Sequence, residues 1–145
     1  MPRFFKHKRE DTGQAPDALY FRGKRRQERP ILTLMHYSEN ELDEIRPDLE
    51  GVEVLEDSSH GVKWYNLYGV HDASMLSTIG EQLGVNQLVL SSAMDTYARP
   101  QIKWFDDDVY LSLKMLSLDE ESKEVHSENL VLYLRNNMLV TFQER

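Results

Sequence analysis

The sequence predicts an α/β fold of α+β character: a mixed β-sheet sandwiched between helices, with a hairpin-rich carboxyl half. Three observations carry that expectation. Several runs are β-rich and either uninterrupted or strictly alternating. Two stretches repeat apolar residues at helical spacing, and they stand among the strands rather than in a block of their own. With 145 residues, 40% hydrophobic and 29% charged, the chain fits one soluble globular domain. A domain of that size buries roughly two thirds of the surface its unfolded chain exposes.

Residues 1–16 hold Gly13, Pro16 and few apolar groups, and read as a flexible lead. The domain then covers 17–145. "DALYF", Asp17 to Phe21, reads as a short strand, and "RGKRRQER", Arg22 to Arg29, as a charged connector with no apolar stripe. "ILTLMHY", Ile31 to Tyr37, is an uninterrupted buried strand. "SENE", Ser38 to Glu41, has the form of a capping box, in which the serine hydroxyl and the glutamate carboxylate satisfy each other's backbone donors. It predicts a short helix ending before Pro47, because proline pushes Arg46 out of the helical region. "VKWYNLY", Val62 to Tyr68, is the next strand.

The best-signed helix follows. Asp72 is a suitable N-cap, Leu76, Ile79 and Leu83 recur on one face, and Gly84 supplies a left-handed stop. "NQLVLSSAMDTYA" continues as a second, shorter helix until Arg99-Pro100 makes the chain extended. "QIKWF" and "VYLSLKML" both alternate, setting Ile102 and Trp104 on one face, then Val109, Leu111, Leu113 and Met115 on one face. Between them stand Asp106, Asp107 and Asp108. Adjacent side chains point in different directions, so the triplet suits a hairpin turn better than a catalytic or metal cluster. "DEESKE" is a solvated loop. "NLVLYLRNNMLVTF" is a final hairpin, in which Asn136-Asn137 can adopt the positive φ angles of a two-residue turn.

Composition narrows the chemistry. The chain has no cysteine, which excludes a disulfide scaffold, thiolate metal sites and a cysteine nucleophile, and is compatible with a reducing cytoplasm. No apolar run approaches the roughly 20 residues of a membrane-spanning helix. The net charge of −8 is unevenly spread: residues 1–29 carry nine Lys/Arg against four Asp/Glu, and the rest eight against twenty-one. The acidic body should repel nucleic acid and attract cations. A phosphate-binding role for Arg22–Arg29 lacks the interleaved aromatics of RNA-binding folds. No Walker loop, dinucleotide fingerprint or nucleophile elbow is present. His7, His36, His60, His71 and His126 are scattered without metal-site spacing. His71 is placed to hydrogen-bond the turn before the helix. Trp64 and Trp104, both in strands, are expected to anchor the core.

The order of segments goes further. "WYNLYGVHD", an amphipathic helix ending in "LGVNQLVL", then "ARPQIKWFDDDVYLSLKML" and "ENLVLYLRNNMLVTFQER" together resemble the CorA family of magnesium and cobalt transport proteins, over roughly Ala18 to Arg145. The resemblance implies an α/β/α cytoplasmic domain. Beyond it such proteins continue into a long stalk helix and two membrane helices with a Gly-Met-Asn signature. It also implies a homo-pentamer at the cytoplasmic face of the cell membrane, Mg2+ or Co2+ as transported or regulatory ion, no cofactor, no catalysis and no nucleic-acid partner. The family commonly has a Glu-Asp pair whose aspartate helps bind a regulatory ion between subunits. Ser91 and Ser92 stand there instead, and Asp95, about one turn on, is the candidate that compensates. The competing classes are a metal-dependent hydrolase using Asp106–Asp108 and a nucleic-acid-binding module led by Arg22–Arg29.

Overall fold

The structure, a computed structural model, describes residues 13, 15, 17–47 and 61–145. Most of the 1–16 lead, with His7, and also His60, lie outside the described residues. Among the described residues seven strands form one sheet: β1 (Ile31–Tyr37), β2 (Leu42–Ile45), β3 (Val62–Tyr68), β4 (Gln101–Phe105), β5 (Asp108–Leu118), β6 (Val125–Arg135) and β7 (Met138–Gln143). Their spatial order is β2-β1-β3-β7-β6-β5-β4. Two helices, α1 (Ala73–Leu83) and α2 (Gln87–Met94), intervene between β3 and β4. The helices carry the chain to the far edge of the sheet, and three successive hairpin strands bring it back to the middle. There β7 lies parallel to β3, while every other pairing is antiparallel. The mixed sheet follows from that return.

Cross-strand partners share a face, so the register identifies the core. Leu34, Tyr65, Val140, Tyr133 and Tyr110 form one row, and Leu32, Leu67, Phe142, Val131 and Ser112 the next. All are buried, and all but Ser112 form one apolar cluster with Leu76, Ile79 and Leu83 of α1 and Val89, Leu90 and Met94 of α2. Each large apolar side chain so buried contributes about 1.5–3 kcal/mol relative to exposure. Asp72 accepts from the Met75 amide, 3.0 Å, and Gly84 closes α1 at φ 65°. Asn86 caps α2 by accepting from Leu88.

Both helices pack on this one face. The second helical layer of a sandwich is not found among the described residues, and the opposite sheet face presents Ile102 and Trp104, 58% and 68% exposed, with Leu113 and Leu134. Trp104 is therefore not a core anchor. Trp64 is half-buried and donates its indole N–H to Thr141 Oγ1, 2.8 Å. The buried face of β5 is Tyr110 and Ser112, not the more apolar Val109, Leu111 and Leu113. Alternation predicted the strand, but register with β6 decides which phase meets the helices.

Three local expectations are corrected. Ser38–Glu41 is a turn, closed by Ser38 N–H to the Glu41 carbonyl at 2.9 Å, and Leu42–Ile45 is a strand antiparallel to β1 rather than a helix. Four residues before a proline cannot offset helix nucleation, whereas the edge of β1 supplies ready backbone partners. "DALYF" is not a strand. Leu19 and Phe21 pack against the core, and Arg22 makes an isolated parallel bridge to Asp95. That bridge also ends α2 at Met94, ahead of Arg99-Pro100: Arg22 N–H takes the Met94 carbonyl at 2.8 Å, and Thr96 N–H takes the Arg22 carbonyl at 2.9 Å. A segment distant in sequence satisfies the helix end.

Candidate functional site

The charged side chains gather at two places on the helix-covered face. The first is at the end of the β4–β5 turn. Asp106 has φ 52° and, like Asp107, is exposed, as the three-aspartate turn predicts. Asp108 differs, because it is the first residue of β5 and its side chain is only 14% exposed. Arg135 donates to Asp108 through Nε at 3.0 Å and Nη2 at 2.6 Å, and the Tyr133 hydroxyl donates to the same carboxylate. The guanidinium and the tyrosine hydroxyl hold the Asp108 carboxyl below the usual carboxylate range against the opposing effect of burial. Burial and the Asp108 hydrogen bond push the Tyr133 hydroxyl up, and Asp108 raises Arg135. The Gly84 carbonyl lies 3.5 Å from the Tyr133 hydroxyl. The α1 helix has no basic residue in its last turn, and Arg135 brings positive charge to that end from another element. The three aspartates do not converge, and no group of three or more His, Asp or Glu arranged to hold a metal occurs among the described residues.

The second cluster surrounds Asp95, the sequence-predicted metal candidate, at the C-cap of α2. Its Oδ1 accepts from the Tyr97 amide at 3.0 Å, and its Oδ2 lies 3.8 Å from Arg22. Nearby, Lys114 donates to the Thr96 carbonyl at 2.7 Å and to Asn129 Oδ1 at 3.2 Å. Burial lowers the Lys114 pKa, opposed by Glu144 and Asp95. Glu144 accepts from the Asn129 amide at 3.1 Å and pairs with Arg26 at 3.2 Å. Burial raises the Glu144 pKa, Glu128 adds to that, and Asn129, Arg26 and Lys114 oppose it. Arg145 donates to Glu128.

A hard cation needs several charged oxygens free to turn toward it. Asp95 faces Arg22 and lies near Lys114, while Ser91 is buried and Ser92 half-buried. The structure brings Asp95 and Arg22 together. It does not gather Asp106–Asp108 into a pocket. In the Arg22–Arg29 segment Arg22 and Arg26 have acidic partners and Arg25 donates to the Gln27 and Glu28 carbonyls, while Lys24, Arg25, Arg26 and Arg29 are exposed. His71 meets the Phe21 ring edge-on, with centroids 6.2 Å apart, and its backbone partner is Glu28 of the charged connector rather than the turn before α1. Glu144, Lys114 and Asn129 were not singled out by motif. Their signal is a polar residue at one end of the helix-side positions of each strand: Lys114 after Tyr110 and Ser112, Asn129 before Val131 and Tyr133, and Glu144 after Val140 and Phe142.

Comparison with known proteins places this geometry among relatives. Residues 59–145 match the family model of the CorA-like Mg2+ transporter protein. The chain is 34% identical over 134 residues to the cobalt/magnesium transport protein CorA of Thermotoga maritima, covering 92% of this chain and 38% of that relative. Among solved structures, the complete CorA magnesium transporter of Methanocaldococcus jannaschii superimposes with TM-score 0.58 at 17% identity, over 79% of this chain and 32% of that one. The soluble domain of the same transporter matches with TM-score 0.58 at 19% identity, over 78% and 40%. The full-length CmaX protein matches with TM-score 0.62 at 10% identity, over 82% and 36%. These likenesses show a shared fold. The chain spans 38% of the length of the curated relative it matches.

Proposed function

The chain belongs to the CorA family, and from that premise we propose that it is the cytoplasmic regulatory domain of a divalent-cation transporter, contributing to ion sensing and gating. The observation that carries this reading is the family match over residues 59–145, the part of the chain that forms β3 to β7 with both helices. No described helix is long and apolar enough to cross a membrane. Passage of Mg2+ or Co2+ is accordingly assigned to a longer protein, assembled as a homo-pentamer through a stalk and membrane helices, with this domain at the cytoplasmic face. Fractionation tests the placement. Antibody against the domain should detect, in cell membranes, a protein longer than 145 residues. Detection solely as a free protein of this size in the soluble fraction would overturn it.

Within this reading Asp95 is a structural pin and at most a weak metal ligand. Its pairing with Arg22 supports that assignment. Isothermal calorimetry on the chain is expected to show Mg2+ binding no tighter than about millimolar, as for diffuse carboxylate attraction that salt screens. A saturable micromolar site removed by Asp95→Asn would contradict it.

A further inference from the structure

The Arg22–Arg26 segment crosses the sheet end at the point where buried charge is densest. Its beginning is held by apolar contact, since Leu19 and Phe21 pack against the core. Its middle is held by backbone, through Arg22 N–H to the Met94 carbonyl and Thr96 N–H to the Arg22 carbonyl. The Thr96 hydroxyl donates to that same carbonyl at 2.9 Å. Gly23 lies so close that a Cβ there would meet Thr96 Oγ1 at 2.7 Å. Beyond Gly23 the hold is ionic: Arg26 Nε on Glu144 Oε2 at 3.2 Å, with Arg22 on Asp95 beside it.

We propose that this segment is a strap whose ionic clasp, Arg26 on Glu144, opens by protonation or by loss of the carboxylate charge while the sheet stays folded. Glu144 continues the helix-side face of β7 beyond Phe142, level with Asn129 of β6 and Lys114 of β5. A face that required only stability would be better served by aliphatic side chains, because desolvating charges offsets most of their attraction. The groups facing Glu144 are Arg26 from the strap, Lys114 from β5, and Glu128 and the Asn129 amide from β6. Asp95 of α2 and Arg22 lie behind Lys114, and Arg145 is turned to Glu128.

The sign of the pH effect follows from these neighbours. Arg26 lowers the Glu144 pKa only while the strap is attached. Attachment is therefore strongest above the detached-state value and fades as pH falls through the attached-state value. Burial raises the same pKa relative to the unfolded chain. Ionised Glu144 thus costs the sheet stability, and protonation loosens the strap without unfolding the strands beneath it.

Amide exchange followed by NMR on the whole chain tests this. At neutral pH, Glu144→Gln should raise exchange at Arg22 and Thr96 about tenfold, the shift that losing one charge-assisted hydrogen bond produces, with protection at Leu67 and Val140 not lowered. Arg26→Gln, which alters the strap alone, should give the same result. Exchanging the pair, Arg26→Glu with Glu144→Arg, should restore protection. In the unaltered chain, protection of Arg22 and Thr96 relative to Val140 should fall as pH drops from neutral through a midpoint above the usual glutamate range. Unchanged exchange at Thr96 in Arg26→Gln would overturn the proposal. So would equal loss of protection at Thr96 and Val140.

Discussion

Asp108 is one of three identical neighbours in sequence, and only its position at the start of β5 aims it at Arg135 and Tyr133. The turn was legible because aspartate tolerates positive φ and needs no burial, and Asp106 behaves so. The ion pair was not legible, since its partner lies on β6 and no local pattern marks it. Asp108→Asn is expected to cost about 1 kcal/mol, less than a fully buried charged bond because Arg135 stays partly solvated. The Asp108 pKa is depressed in the fold, so its contribution is present above the unfolded value and is lost as pH falls through the folded one. Urea midpoints should differ between the two proteins at about pH 7 and converge once pH falls below the depressed folded-state value, under the usual aspartate range. An equal gap at both would place the stabilisation elsewhere. Asp95 has the same lesson: Arg22, 73 residues away in sequence, faces its carboxylate, and no local pattern marks that partner.

Elements were legible wherever their ends carry their own chemistry. α1 begins at Asp72 and stops at Gly84 as its sequence predicts. Where an end is set by another segment, the sequence misleads. α2 stops at Met94 because Arg22 takes its terminal carbonyl, and Leu42–Ile45 pairs with β1 despite a capping-box sequence. The phase of β5 was hidden for a related reason: apolar residues occupy both of its faces, so alternation alone could not choose between Val109–Leu111–Leu113 and Tyr110–Ser112. Gly84 permits a direct test of element ends. Its φ of 65° disfavours any side chain, and a Cβ would meet Arg135 Nη1 at 2.5 Å. Gly84→Ala should therefore destabilise by about 1–2 kcal/mol from the left-handed conformation alone. The Arg135–Asp108 pair should be displaced as well. Thermal denaturation measures the first effect, and the chemical shift of the Arg135 Nε–H reports the second. A Tm equal to that of the unaltered chain would show that this helix end does not depend on the left-handed residue.

At the scale of the molecule, the order of elements was the most legible feature. Strand, two helices, then a run of hairpins predicted a mixed sheet, and β7 returning parallel to β3 makes it one. Both described helices cover one face and leave Trp104 and Ile102 exposed on the other, which alternation alone did not reveal. Family membership, which the ordered segments first indicated, gives the domain its setting. The regulatory role proposed for it is tested in a longer protein carrying this chain. The decisive measurement is Mg2+ flux into liposomes containing the full-length protein that carries this chain, compared with the same protein lacking residues 17–145, across a range of Mg2+ on the domain's side. We predict flux from the intact protein that falls as that Mg2+ rises, and a loss of this dependence when the domain is removed. Absence of flux, or the same Mg2+ dependence with and without the domain, would contradict a regulatory domain of a cation transporter.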